Sequence, residues 1–75
     1  MWRIGTVART AQGLAVVRCD DATHPDIGTS AVDESLSAVG RVVDVFGPTD
    51  RPYVAVTPAD SVDPVSLLGQ KLYVR

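Results

Sequence analysis

Residues 37–46, with the sequence SAVGRVVDVF, predict a long β-strand around which the rest of this chain is arranged. The valines and Phe46 fall on both faces of an extended segment, which favours a strand that is buried or bent rather than half exposed. Gly40 interrupts the run where a bend would suit the corner of a small barrel. The stretch therefore predicts a strongly curved sheet.

The rest of the chain alternates short β-rich segments with turn residues and has no helical periodicity longer than about one turn. In chain order the predicted strands are residues 2–10, 14–19, 29–32, 37–46, 53–57 and 72–75. Gly13 supplies a positive φ between the first two strands, which form a hairpin. Asp63 caps a short helical turn that begins at Pro64 and closes at Gly69.

Six short strands in 75 residues are too few for a two-layer sandwich of useful size. A closed barrel hides the sheet edges that would otherwise pair with other chains. The sequence therefore predicts an all-β fold, a small closed six-stranded barrel with one short helical turn. Residues 1–75 should form a single domain, because a chain of this length cannot divide into two cores.

Charge and composition narrow the function. Nine acidic and seven basic residues give a net charge of −2, and the basic residues are scattered singly. RNA- and DNA-binding domains usually carry a basic stripe. If this protein acts on nucleic acid, we therefore expect another protein to make the contact with the nucleic acid. No apolar run suits a membrane span or a secretory signal, which predicts a cytoplasmic protein. Eight aspartates beside one lysine favour a halophilic source.

The candidate chemical groups are sparse. Cys19 and His24 are the only cysteine and the only histidine, whereas a zinc site needs four nitrogen or sulfur ligands. We interpret Cys19 as the end of a strand in or near the core, and the following loop as solvated. Neither glycine-rich phosphate-binding motif occurs. The sequence thus predicts no enzyme activity, cofactor, metal or small-molecule substrate.

Residues 46–53, with the sequence FGPTDRPY, form the most distinctive segment. Its two prolines fix φ and Gly47 permits a turn, so the loop should be stiff, with Phe46 and Tyr53 at its two bases. Rigid aromatic and proline surfaces bind partners at little entropic cost. The alternative is that the two rings only hold the loop against the barrel and contact no partner.

Five pieces of the chain resemble the Gar family, in the family's order and with its spacing. They are residues 3–7 (RIGTV), 27–28 (IG) leading to 32–33 (VD), 39–42 (VGRV), 46–48 (FGP) with 52–53 (PY), and 69–74 (GQKLYV). The resemblance implies a six-stranded barrel of the type shared by reductase, isomerase and elongation-factor domains. It also implies a non-catalytic subunit of the H/ACA ribonucleoprotein, in which a guide RNA selects a uridine in ribosomal or other RNA.

In that family the barrel binds the catalytic domain of a dyskerin-type pseudouridine synthase, away from the guide RNA. It is thought to help the synthase's thumb loop switch states, which aids substrate loading and product release. Carried over by motif, the expected contacts in and next to the 46–53 segment are Val45, Phe46, Gly47, Pro48, Pro52 and Tyr53. Ile27 and Gly28 are expected contacts in a second loop. The expected core residues are Val42, Val54, Val56 and Leu72.

Three alternatives remain open. An assembly factor of the Naf type resembles this barrel, although such proteins carry long extensions that this chain lacks. A free-standing translation-factor-like barrel would bind RNA or ribosomes directly. A small enzyme or metal protein would use Cys19 and His24. The chain also lacks the glycine-arginine-rich tails of eukaryotic Gar members and the lysine-rich C-terminus of many archaeal ones, from which we predict an archaeal source.

Overall fold

The computed structural model describes residues 1–75 and contains six β-strands and one short 3-10 helix. In chain order these are β1 (Trp2–Ala11), β2 (Leu14–Cys19), β3 (Ser30–Val32), β4 (Ala38–Phe46), β5 (Tyr53–Pro58), the 3-10 helix (Pro64–Leu67) and β6 (Lys71–Val74). All six predicted strands and the predicted helical turn are confirmed. Every strand begins and ends within one residue of its predicted bounds.

The strands pair antiparallel and close into a barrel in the order β1–β2–β5–β4–β3–β6. Sequence neighbours β1 and β2 form a hairpin, and so do β4 and β5. The pairings β2–β5, β1–β6 and β3–β6 join segments that are distant in the sequence. The predicted all-β, closed six-stranded barrel is confirmed.

The core is a cluster of twelve buried residues inside the barrel. Strand alternation supplies most of them, because every second side chain points to the same face. The four expected core residues are confirmed, with exposed fractions of 0 to 1 %: Val42, Val54, Val56 and Leu72. Leu67 enters the same cluster from the 3-10 helix. Asp63 caps that helix by accepting a hydrogen bond from the Val65 amide at 3.0 Å.

The curvature of β4 has two sources. Gly40 lies so close to β5 that a Cβ atom there would overlap the carbonyl group of Thr57. Two bulges flank this contact, one against β3 at Val39 and one against β5 at Val43, where the pairing register shifts by one residue. Bulges bend a strand and increase its local twist. The bend expected at Gly40 is thus produced by the glycine together with its neighbouring bulges.

Candidate docking surface in the loops at one end of the barrel

The loop between β4 and β5 rests on a pair of stacked aromatic rings. Phe46 and Tyr53 are directly opposite each other where the two strands end. Their ring centroids are 5.6 Å apart, with an angle of 22° between the planes. Phe46 keeps 38 % of its surface exposed, while Tyr53 is half-buried. The rings therefore fix the base of the loop and still leave one aromatic side chain accessible.

Gly47 allows this packing. Its φ of +87° lies in the left-handed region, and a Cβ atom there would come within 2.9 Å of the Tyr53 ring. A larger residue would therefore be strained in its backbone and crowded against the ring. The turn predicted from glycine at this position is confirmed.

The two prolines of the loop have different environments. Pro48 is exposed, whereas Pro52 is buried and its carbonyl oxygen accepts a hydrogen bond from the Cys19 amide at 3.0 Å. The Arg51 side chain strengthens the same connection, since its Nε donates to the Cys19 carbonyl oxygen at 3.1 Å. Both prolines follow trans peptide bonds. The loop is thus tied to the end of β2 and held against the barrel.

A depression of about 250 Å³ lies beside the Phe46 ring. Two loops line it, and the lining residues are Ala22, His24, Val45, Phe46, Gly47, Pro48, Thr49 and Pro52. Five of the predicted contact residues therefore surround one concavity. Tyr53 does not line it but supports Phe46 from behind.

Ala22 and His24 are the lining residues that sequence reasoning assigned to a solvated loop. His24 is exposed, and its Nδ1 lies 3.0 Å from the carbonyl oxygen of Pro25, which is itself buried. A signal was present in the sequence: His24 and Pro25 place a ring beside a proline, as Pro52 and Tyr53 do in the other loop. The structure brings these two ring-and-proline segments to the same end of the barrel.

Ile27 and Gly28 lie beside β4 but outside the depression. The Gly28 amide donates to the Val42 carbonyl oxygen at 2.8 Å, so this loop runs along the strand edge. Gly28 has a φ of +96°, and Ile27 exposes 65 % of its surface. Their role stays a prediction.

Cys19 lies in the core, as predicted, with no exposed surface. Burial raises the pKa of its thiol above the ordinary value, and the nearby carboxylates of Asp20 and Asp21 raise it further. Nowhere in the chain do three or more histidine, cysteine or acidic side chains come together in a group that could hold a metal ion. No helix of the chain has the length and apolarity needed to cross a membrane.

The fold and the apolar depression are those of a small β-barrel with an accessible aromatic surface at one end. A family model described as the Gar1/Naf1 RNA binding region matches residues 1–75, and the chain belongs to this family. The chain is also similar to an uncharacterized protein of Methanothermobacter thermautotrophicus, with 26 % identity over 77 residues, which cover 99 % of this chain and 83 % of that protein. The resemblance to the Gar family inferred from sequence motifs is confirmed.

Proposed function

We propose that this domain is the non-catalytic Gar-type subunit of an H/ACA ribonucleoprotein. It docks on the catalytic domain of the dyskerin-type pseudouridine synthase and assists substrate loading and product release. The family membership is consistent with a component of that particle. Its contact with the synthase, and its effect on loading and release, are the parts that we add.

The observation that carries the proposal is the accessible Phe46 ring beside the apolar depression. Aromatic side chains at the centre of a well-packed patch supply much of the binding energy of protein interfaces. Phe46 is held in place by Tyr53, so little side-chain entropy remains to be lost on binding. The ring and the depression together offer a rigid apolar contact for a protein surface.

Net charge supports a protein partner over direct RNA binding. The chain has a net charge of −2 and its basic residues are scattered singly. Contacts with RNA phosphates require clustered lysines and arginines. A non-catalytic subunit can still control a reaction if it biases a mobile loop of the enzyme, because such loops gate substrate entry and product release. We propose that the thumb loop of the synthase is the segment controlled in this way.

The second candidate is a free-standing barrel that binds RNA or ribosomes directly. The description of the matched family as an RNA binding region favours it. The same model covers both Gar1 and Naf1, so the choice of the Gar type is part of our proposal. The halophilic source inferred from composition stays a prediction, and so does the archaeal source.

Calorimetric titration of the domain into a purified dyskerin-type synthase, without RNA and in high salt, tests the proposal. Guide RNA alone, titrated under the same conditions, is the control. We expect saturable one-to-one binding to the synthase and none to the RNA. Binding to the RNA but not to the synthase would overturn the proposal in favour of the free-standing barrel.

A further inference from the structure

Acidic and basic residues occupy different parts of the barrel. Eight of the nine acidic residues lie outside the strands, and Asp44 in β4 is the exception. Five of the seven basic residues lie within strands. Four of those five are in three neighbouring strands, β6, β1 and β2, which contain no acidic residue. The net negative charge of the chain therefore comes from its loops, while one side of the barrel wall is basic.

The strand register places these four basic side chains on one outer surface. Thr6 in β1 pairs with Arg18 of β2 on one side and with Lys71 of β6 on the other, while Arg3 and Arg9 lie on β1 before and after it. All four basic side chains are exposed. Strands about 4.8 Å apart that rise about 3.3 Å per residue give a surface about 10 Å wide and about 20 Å long. We call the surface formed by Arg3, Arg9, Arg18 and Lys71 the basic patch.

Three of the four cations in the basic patch have no acidic partner. Arg3 forms the only salt bridge of the structure, with Asp20 at 2.7 Å. Arg9, Arg18 and Lys71 form none. Residues that are scattered along the sequence are thus gathered by closure of the barrel into a cluster of free positive charge.

Two tyrosines accompany the arginines of the basic patch. Tyr73 is the cross-strand partner of Arg3, and Tyr53 is that of Arg18. Both tyrosines are half-buried, and the Tyr73 hydroxyl donates to Glu34 at the edge of the patch. Nucleic-acid bases stack on aromatic rings and guanidinium groups, and phosphates pair with free cations. This combination favours a single-stranded nucleic acid over an acidic peptide, which has no bases to stack.

The basic patch is centred on the strand opposite Phe46. In the closed order of six strands, β1 lies three positions from β4 in either direction, and Phe46 is the last residue of β4. A protein bound at Phe46 would therefore leave β1 uncovered. The depression and the basic patch can be occupied at the same time.

We infer that the basic patch binds a single-stranded segment of RNA through its phosphates. This adds a second binding surface to the proposed function. Three free cations make a weak contact, for which the logarithm of the binding constant should fall with the logarithm of salt concentration at a slope of about −2. High salt abolishes such a contact, whereas a particle that already holds the RNA nearby strengthens it through effective concentration.

The test is an NMR titration of unstructured single-stranded RNA of mixed sequence into the isotope-labelled domain, from about 0.05 to 0.5 M salt. Arg18→Gln and Lys71→Gln each remove one cation of the patch. Arg41→Gln is the matched control, because it makes the same charge change at an exposed arginine of β4 that forms no salt bridge. Poly-glutamate, titrated under the same conditions, is the control for an acidic peptide.

We expect RNA to shift the amide signals of β1, β2 and β6 and to leave those of β3 and β4 nearly unchanged. Each patch variant should bind RNA about three- to tenfold more weakly near 0.1 M salt, with a slope reduced by about 0.7, because one phosphate contact is lost. Arg41→Gln should bind like the unmodified domain.

Equal weakening by Arg41→Gln and by the patch variants would show that only net charge matters, and would overturn the inference. Absence of RNA binding at the lowest salt concentration would also overturn it, while leaving the binding of synthase in high salt, and so the proposed function, standing. Binding of poly-glutamate as tight as that of RNA would replace RNA with an acidic peptide. Loss of synthase binding in high salt by the patch variants would instead make the basic patch the protein interface.

Discussion

Val16 and Ala55 are paired across β2 and β5 on the outer face of the barrel, yet only 3 % and 4 % of their surfaces are exposed. Their neighbours along each strand point into the core, so alternation directs these two side chains outward. Arg9 pairs with Val16 from β1, and its guanidinium carbon lies 6.0 Å from the centroid of the Tyr53 ring. Tyr53 is two residues from Ala55 on the same face. Arg9 and Tyr53 therefore cover an apolar pair on the outside of the wall.

This arrangement gives Tyr53 neighbours on both sides. Arg9 reaches it from the side of β2, and Phe46 stacks on it from β4. Cation–π and aromatic contacts each contribute on the order of 0.5–1 kcal/mol at partly exposed positions. Tyr53 is therefore placed to stabilise the barrel wall, and Phe46 to meet a partner. The two aromatic residues should respond differently to substitution.

Tyr53→Ala should lower the free energy of unfolding by about 1–3 kcal/mol, because it uncovers Val16 and Ala55 and removes both ring contacts. Tyr53→Phe is the matched control. It should change stability by less than about 0.5 kcal/mol, since the Tyr53 hydroxyl makes no hydrogen bond within the chain. Urea denaturation followed by circular dichroism measures both. Equal midpoints for Tyr53→Ala and the unmodified domain would show that the outer cover is energetically unimportant.

Phe46→Ala should leave the domain folded and weaken synthase binding by about 1–4 kcal/mol, roughly five- to several hundredfold in Kd. The exposed ring loses its contacts with the partner, while Tyr53 keeps its contact with Arg9. Val65→Ala, at a 59 % exposed position on the 3-10 helix, is the control and should bind normally. Calorimetric titration gives the affinities, and circular dichroism verifies the fold. Normal binding by a folded Phe46→Ala variant would mean that another face of the barrel meets the synthase.

Two adjacent leucines test the role of the 3-10 helix. Leu67 is 3 % exposed and belongs to the core cluster, whereas Leu68 is 45 % exposed. Leu67→Ala should cost about 2–5 kcal/mol and Leu68→Ala less than about 1 kcal/mol, measured by urea denaturation. If Leu67→Ala abolishes folding, Leu67→Met should cost less than about 1.5 kcal/mol and restore the transition. Equal losses at the two positions would contradict the assignment of Leu67 to the core.

The Cys19 thiol should make stability depend on alkaline pH. Burial raises its pKa in the folded state above the ordinary value of 9.0, with Asp20 and Asp21 adding to the effect. The folded state therefore holds this proton more tightly than the unfolded state. The contribution to stability is complete below the unfolded pKa and is lost as the pH rises through the folded pKa.

Cys19→Ala removes this titration and is compared with the unmodified domain by urea denaturation from roughly pH 7 to pH 11. The stability advantage of the unmodified domain should shrink as the pH rises above 9.0. Every other side chain is the same in the two proteins, so its effect on stability cancels in the difference. A constant difference across this range would show that the thiol is not the source.

Much of the fold could be predicted because it depends on short stretches of chain. The positive φ of Gly13, the cap at Asp63 and the alternation in each strand are set by a few neighbouring residues. The loop at residues 46–53 could be recognised for the same reason, because its glycine and prolines restrict the backbone locally. Family motifs spread over the chain then indicated which barrel these strands form.

The candidate site could be predicted only in part. The sequence predicted contacts at Phe46 and its loop, but it did not place His24 and Ala22 beside them or carry Arg9 to the Tyr53 ring. Those contacts follow from which strands become neighbours when the barrel closes, with β2 beside β5 and β1 beside β2. Turn and strand preferences arise from steric limits within a few residues, so they can be predicted from the local sequence. The depression exists only because closure brings two loops, more than twenty residues apart in the chain, to one end of the barrel.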